Sequence, residues 1–182
     1  MNKFSIEYPE NHIAGQLQND FPKNDNFSVS IPLSRQQKHF DLLLFNGNNK
    51  KSLTFQVKSA RTFIDEIPGY NYYSWLNNFS ISNNYSDFYL IFISFPLFDT
   101  VTFRPKATFS TKILVFDNIE MQNLLSSIKL TKKGNPDKFF AMVFNYDDKR
   151  IFGDRGFNKN NRPEFSNNLY ENKLPIINQA II

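Results

Sequence analysis

Asp41, Gln56 and Lys58 lie on two neighbouring apolar segments, residues 40–45 and 53–59, and their side chains suit one chemical task. A carboxylate oxygen and an amide oxygen are the kind of ligand that hard cations bind. An ammonium group beside them can orient a water molecule or neutralise charge on a phosphate. If the three side chains meet at one place, they predict metal-assisted hydrolysis.

The two segments predict a β-hairpin, because an Asn- and Gly-rich stretch separates two apolar runs. With a four-residue loop between Asn46 and Lys51, the two residue numbers of each cross-strand pair add up to 97. Asp41 then lies opposite Gln56. Lys58 shares the face of Gln56, since residues two apart along a strand point the same way. A register slip of one or two residues would separate the three side chains.

The elements around the hairpin predict an α/β fold with a mixed central β-sheet flanked by helices. Residues 9–20 predict a helix, with a proline in its first turn and an apolar stripe at four-residue spacing. Residues 87–95 are almost continuously apolar, which is typical of a central strand, and Pro96 is expected to end that strand. Asp117 is expected to cap a second helix that continues to about Ile128.

The rest of the chain predicts shorter or less regular elements. Aromatic and Asn-rich residues 63–86 predict a loop with a short helix near residues 72–77, and the polar stretch 153–173 predicts a long loop or tail. Further strands are predicted at residues 27–31, 101–104, 112–116 and 139–144, with residues 150–152 paired to the last of these.

Length and composition limit the class of protein. The 182 residues are enough for a core domain, which we assign to residues 1–152, with a polar Asn-rich extension at 153–182 packed on or beside it. The absence of Cys excludes disulfides and thiolate metal sites, and two His argue against a His-based zinc site. The first residues lack the apolar stretch of a signal peptide, and the apolar run 88–95 is too short to span a bilayer. We expect a soluble cytoplasmic protein.

Positive charge is concentrated in residues 129–162. This segment has nine Lys or Arg against four Asp, a local net charge of +5 (9 − 4), whereas the whole chain carries +4. Such a zone suits a polyanionic partner, because phosphate contacts dominate nucleic-acid affinity. A solvated, lysine-rich surface is the alternative explanation.

The order of elements resembles the PD-(D/E)XK, or restriction-endonuclease-like, nuclease superfamily. In that family an Asp on one strand of the core is followed, on the next strand, by an acidic residue, any residue and a Lys. Asp41 matches the first motif, and Gln56-Val57-Lys58 matches the second in its Gln-x-Lys variant. The resemblance covers about residues 6 to 128, and Gln in place of an acid is its main departure from the family pattern.

The resemblance implies a role for each residue. Asp41 would bind Mg²⁺, Gln56 would offer its carbonyl oxygen to the same ion, and Lys58 would orient the attacking water or neutralise the transition state. Glu10 matches a helix-one glutamate that many members place beside the metal, and Glu7 is the alternative if the helix begins earlier. A neutral Gln56 implies weaker metal binding or the use of one ion instead of two.

The function implied is a Mg²⁺-dependent endonuclease acting on DNA, with Mn²⁺ able to replace Mg²⁺ and with a homodimer or higher homo-oligomer as the assembly. A catalytically inactive nuclease-like module that binds nucleic acid or a protein is the first alternative. The second alternative is an unrelated α/β domain, in which Asp41 and Lys58 form a buried ion pair and Gln56 is their hydrogen-bonding neighbour. The residues expected to contact nucleic acid are Lys38, Ser59, Arg61, Lys132, Lys133, Lys149 and Arg150.

Histidines and clustered aromatic residues are less specific signals. His12 and His39 are expected to be ordinary surface or partly buried residues, although His39 lies two residues before Asp41 and could support it. Four aromatic residues could stack on unpaired bases or, more simply, pack in the core. They are Tyr70, Tyr72, Tyr73 and Trp75.

Overall fold

A computed structural model describes residues 4–32, 40–64, 69–81, 86–98, 107–128, 134–135, 137–158 and 160–182. Within these ranges the helices are α1, Phe4–Asp20, α2, Asn118–Ser126, and α3, Tyr170–Ile181. Strands β1 to β8 are Phe27–Ser30, Leu42–Asn46, Ser52–Ile64, Tyr72–Asn77, Phe88–Phe98, Ala107–Asp117, Phe139–Phe144 and Ile151–Gly153. None of the described helices is long and apolar enough to cross a membrane.

Strand β3 belongs to two sheets, which its length of 13 residues allows. Its first part pairs antiparallel with β2 and parallel with β5, and residues 61–64 pair antiparallel with β4. We call β1, β2, β3, β5 and β6 the first sheet. We call the end of β3 with β4, β7 and β8 the second sheet. Parallel and antiparallel pairing with flanking helices confirms the predicted fold class.

Two hydrophobic cores cover opposite faces of the first sheet. Leu90 belongs to the core that includes Ile13 of α1 and Ile177 of α3. Its neighbour Ile91 belongs to the other core, which includes Met121 of α2 and the inner face of the second sheet. Because side chains alternate along a strand, a strand that is buried on both faces has a continuous apolar sequence. Strand β5 has such a sequence.

Helix α3 is absent from the sequence-based prediction, which assigns loop or tail up to residue 173. Tyr170, Ile177 and Ile181 are buried in the same core as α1. The polar residues that precede the helix, together with Pro175 inside it, conceal the apolar spacing. The end of the chain therefore contributes to the core that supports the first sheet.

Two further predictions are wrong. A strand, not a short helix, forms at 72–77, where buried Tyr72 alternates with half-exposed Tyr73 in the period of two that strands require. Pro96 does not end β5, which continues to Phe98. Pairing of β5 with β3 stops at Ile93, so Pro96 lies where β6 is the only described strand neighbour and a missing N–H is tolerated.

Two boundaries also differ from prediction. Helix α1 begins at Phe4, before the expected start at residue 9, so that Pro9 lies inside the helix and removes one of its hydrogen bonds. Strand β6 is longer than the predicted strand 112–116. The strand predicted at residues 101–104 lies outside the described residues.

Candidate functional site

The β2–β3 hairpin has the predicted register. Leu42 pairs with Phe55, so the numbers of paired residues sum to 97. The loop is closed by the N–H of Asn46, which donates to the carbonyl of Lys51 at 2.9 Å. Lys50 takes a left-handed conformation, with φ of 65°, to complete the turn. This register brings the start of β2 alongside the middle of β3.

Asp41 lies immediately before β2, where the regular ladder ends. Its N–H donates to the carbonyl of Phe55 at 2.8 Å, and its Oδ2 accepts a hydrogen bond from the N–H of Val57 at 2.7 Å. The carboxylate therefore accepts a hydrogen bond from the N–H of Val57, which would bond to a backbone carbonyl of β2 if the strand pairing continued past Leu42. These two bonds hold Asp41 beside Gln56, which lies between Phe55 and Val57.

Gln56 and Lys58 share one face of β3 and are both half-buried. Phe55 and Val57 point to the opposite face and are buried in the core that includes Ile13 of α1. The Nζ of Lys58 lies 5.3 Å from the ring centroid of Phe79, a cation–π distance. The ring thus forms one boundary of the space that the ammonium occupies.

Burial lowers the pKa of Lys58 from its ordinary value, because the charged form loses hydration. The carboxylates of Asp41 and, to a smaller extent, Glu10 act in the opposite direction and raise it. Both carboxylates therefore lie within electrostatic reach of the ammonium. Glu10 is half-buried on α1, one turn before the core residue Ile13, and its Oε2 is buried. The charges of Asp41, just before β2, and of Glu10, on α1, therefore both act on Lys58 of β3.

The oxygen groups on the residues around Lys58 are of the type that a hard divalent cation binds. Two carboxylates, from Asp41 and Glu10, and the amide oxygen of Gln56 are oxygen ligands of the type that Mg²⁺ and Mn²⁺ bind. Among the described residues, no group of three or more His, Asp or Glu is arranged to hold a metal ion. In donor type alone the three side chains suit such a cation, with one carboxylate fewer than a site of three acids.

The predicted nucleic-acid contacts are spread over both sheets. Ser59 and Arg61 are exposed further along β3, and Lys149 and Arg150 are exposed between β7 and β8. Arg150 forms an ion pair with Asp148 at 3.1 Å. Lys38, Lys132 and Lys133 lie outside the described residues, as does His39. All these contacts stay predictions.

His12 and Lys112, one on α1 and one on β6, line an open cavity of about 410 Å³. The Nε2 of His12 lies 3.5 Å from the hydroxyl of Thr111. Burial lowers the pKa of Lys112, whose Nζ donates to the carbonyl of Asp148 at 2.9 Å. A lysine next to the apolar run of β6 is the sequence signal that could have identified this cavity, whereas no such signal pointed to Phe79.

No protein-family model matches the chain, and no curated protein matches it. Among solved structures, the chain is similar to the bacterial homing endonuclease I-Ssp6803I. That similarity covers 65% of this chain and 73% of the endonuclease chain, with 14% sequence identity and a TM-score of 0.38. The structural similarity to an endonuclease is therefore remote.

Proposed function

We propose that this protein is a Mg²⁺-dependent endonuclease that hydrolyses phosphodiester bonds in DNA, with Asp41, Gln56, Lys58 and Glu10 as its active site. The observation that carries the proposal is the electrostatic environment of Lys58. The carboxylates of Asp41 and of Glu10 both act electrostatically on this half-buried ammonium, and the amide of Gln56 lies on the same strand face. One carboxylate would suffice for a structural ion pair.

Asp41 would bind the cation through Oδ1, because the N–H of Val57 already holds Oδ2 and fixes the carboxylate. Gln56 and Glu10 would supply further oxygen ligands. When bound, the cation would lower the pKa of the attacking water and stabilise charge on the phosphate. Lys58 would face an anion that gains charge in the transition state, and its burial makes that attraction stronger than it would be in water.

The proposal is tested by the cleavage of supercoiled plasmid DNA in Mg²⁺ or Mn²⁺. We expect wild type to nick or linearise the plasmid, and Asp41→Ala and Lys58→Ala to abolish cleavage. Lys58→Ala should keep DNA binding, since the transition state needs the ammonium more than the ground state does. Asp25→Ala and Lys51→Ala alter exposed residues of the same types and serve as matched controls. Full cleavage by Asp41→Ala would place the site elsewhere.

A catalytically inactive nuclease-like module is the second candidate function. It is favoured by the bond that ties Oδ2 of Asp41 to the backbone of Val57, which gives the carboxylate a structural role without any metal. The two candidates differ in metal binding. Calorimetric titration with Mn²⁺ should give binding that Asp41→Ala removes if the protein is an enzyme, and no such difference if it is not.

Concerted cleavage of both strands of a duplex by a chain of this size usually uses two active sites, and we propose that two copies of this chain supply them. Closed two-fold assemblies are the most common oligomers. Sedimentation equilibrium of wild type should therefore give twice the chain mass of 21.4 kDa. A monomer that still linearises plasmid through two independent nicks would contradict the dimer and leave the active site intact.

A further inference from the structure

One face of the second sheet carries a row of aromatic side chains. The pairing of β3 with β4 sets Arg61 beside Trp75 and Phe63 beside Tyr73. Partners in a sheet share a face, so these four side chains project from the same side. Phe139 of β7 adjoins them, because its ring meets that of Trp75 edge to face at 4.7 Å. We call these five residues the aromatic face.

The aromatic face points away from the core. On β4, the alternate residues Tyr72 and Leu76 are buried in the core, so Trp75 between them projects outward. Phe63 is 48% exposed, and its ring lies nearly parallel to that of Trp75, with centroids 6.2 Å apart and 11° between the planes. A contiguous group of rings at a surface, unlike a single exposed ring, commonly marks a binding site.

Cations lie over the rings of this face. The guanidinium of Arg61 lies 5.3 Å from the ring of Trp75. Arg155 and Lys138 lie 5.3 Å and 5.5 Å from the ring of Phe139. Asp137 binds Arg155, which leaves these four charged residues with a net charge of +2 (three cations less one anion).

We propose that the aromatic face binds a stretch of unpaired nucleotides, with bases stacked on Phe63 and Trp75 and phosphates beside Arg61 and Lys138. Aromatic rings with interleaved cations are the combination by which proteins bind single strands, because every base has a face that can stack. A duplex hides its base faces in its own stack, so the aromatic face should prefer a single strand. The inference rests on the proposed function in taking nucleic acid as the ligand, but it requires neither a metal ion nor Lys58.

A second copy of the chain fits this face less well. A two-fold contact would set the same surface against itself and bring its excess positive charge together. Such like-charge contacts oppose association, whereas a polyanion neutralises them.

Trp75 is the only tryptophan of the chain, so its fluorescence reports from the aromatic face alone. We would titrate the protein with a single-stranded oligothymidylate, and with a duplex of equal length, in the absence of divalent cations. Stacking should quench the emission, and the single strand should bind more tightly than the duplex. Phe63→Leu and Arg61→Gln should each weaken binding by about tenfold. The matched control is Phe109→Leu, which changes a phenylalanine that is 70% exposed on β6 and should bind as wild type does.

Unchanged emission, equal affinity for single strand and duplex, or equal loss of affinity in Phe63→Leu and Phe109→Leu would each overturn the proposal. If the emission changes with protein concentration and not with added oligonucleotide, the aromatic face binds a second copy of the chain, and the proposal is overturned as well. If the oligonucleotide still quenches the emission of Asp41→Ala, the proposal for the aromatic face is supported. This holds whether or not wild type cleaves plasmid, and so is independent of the proposed active site. Cleavage without quenching would keep that active site and reject the aromatic face.

Discussion

Burial lowers the pKa of Lys58 although two carboxylates act to raise it. The folded protein therefore holds the charged lysine at a net electrostatic cost, as active sites commonly do. A buried ion pair with a structural role is the alternative explanation. Removal of one partner from a buried structural pair commonly costs about 3–5 kcal/mol. The stability of a Lys58 variant thus separates the two explanations.

We expect Lys58→Met to leave the free energy of unfolding unchanged or to raise it at pH 7, while it abolishes cleavage. The pKa of Lys58 is lower in the folded than in the unfolded state, so the cost is fully present below the folded pKa and disappears as pH rises from that value to the ordinary one. Wild type should therefore gain stability relative to the variant in alkaline solution. Urea denaturation at pH 7 and at successively higher pH measures this difference.

Lys51→Met serves as the control for that series, since Lys51 is exposed on the same hairpin. A loss of about 3 kcal/mol at pH 7 in Lys58→Met alone would identify a structural ion pair.

Gln56→Glu should strengthen metal binding at the candidate site. The change adds a third carboxylate, and a full charge near a divalent ion in a half-buried site is expected to raise affinity by at least about tenfold. Calorimetric titration with Mn²⁺ compares the variant with wild type. Asn24→Asp adds a carboxylate at an exposed position and should change nothing. Equal Mn²⁺ affinity in wild type and Gln56→Glu would show that residue 56 does not contact the ion.

At the scale of elements, the hairpin loop and helix α3 hold each other in place. The side-chain amides of Asn46 and Asn49 donate to the carbonyl of Ile181 at 3.2 and 3.0 Å. The Oδ1 of Asn46 also accepts a bond from the N–H of Asn48 inside the loop. A buried asparagine thus connects the turn that sets the register to a helix of the supporting core.

Asn46→Ala should lower the free energy of unfolding by about 1–3 kcal/mol, because it removes the two hydrogen bonds that the buried Asn46 side chain makes with Asn48 and Ile181. Urea denaturation measures this decrease. Ser52→Ala, at an exposed position of the same hairpin, should stay within about 0.5 kcal/mol of wild type. Equal stability of both variants would mean that the link between hairpin and helix contributes little.

Local turn and cap chemistry made several elements predictable. The Asn- and Gly-rich loop specified the hairpin register, and Asp117 caps α2 through a capping box with Glu120. Strand β4 was missed because its aromatic residues fit either a strand or an aromatic loop. Only pairing in the second sheet, which buries Tyr72 in a core and leaves Trp75 on the other face, favours the strand. From the residues themselves the candidate site was predictable only as far as the hairpin. Glu10 was expected only through the family resemblance, and the position of the Phe79 ring depends on tertiary packing.

At the scale of the whole molecule, β3 connects the two sites that we propose, one on each sheet. The first sheet carries the polar cluster around Lys58, and the second carries the aromatic face. The basic residues that make residues 129–162 so positive include Lys138, Arg150 and Arg155, which all lie on or beside strands of the second sheet. These cations lie on the side of the second sheet that β4 separates from β3.

Duplex binding should depend on salt in proportion to the number of phosphates that this charge neutralises. Lys149→Glu with Arg150→Glu should weaken binding and reduce the slope of log affinity against log salt by about one unit for each phosphate that the variant no longer neutralises. Fluorescence anisotropy of a labelled duplex over a series of salt concentrations measures that slope. Lys23→Glu, at an exposed position after α1, makes a single charge reversal outside the basic segment and should leave the slope unchanged. If the double variant and wild type give parallel lines, these two cations are solvated surface, and other residues must bind the phosphates.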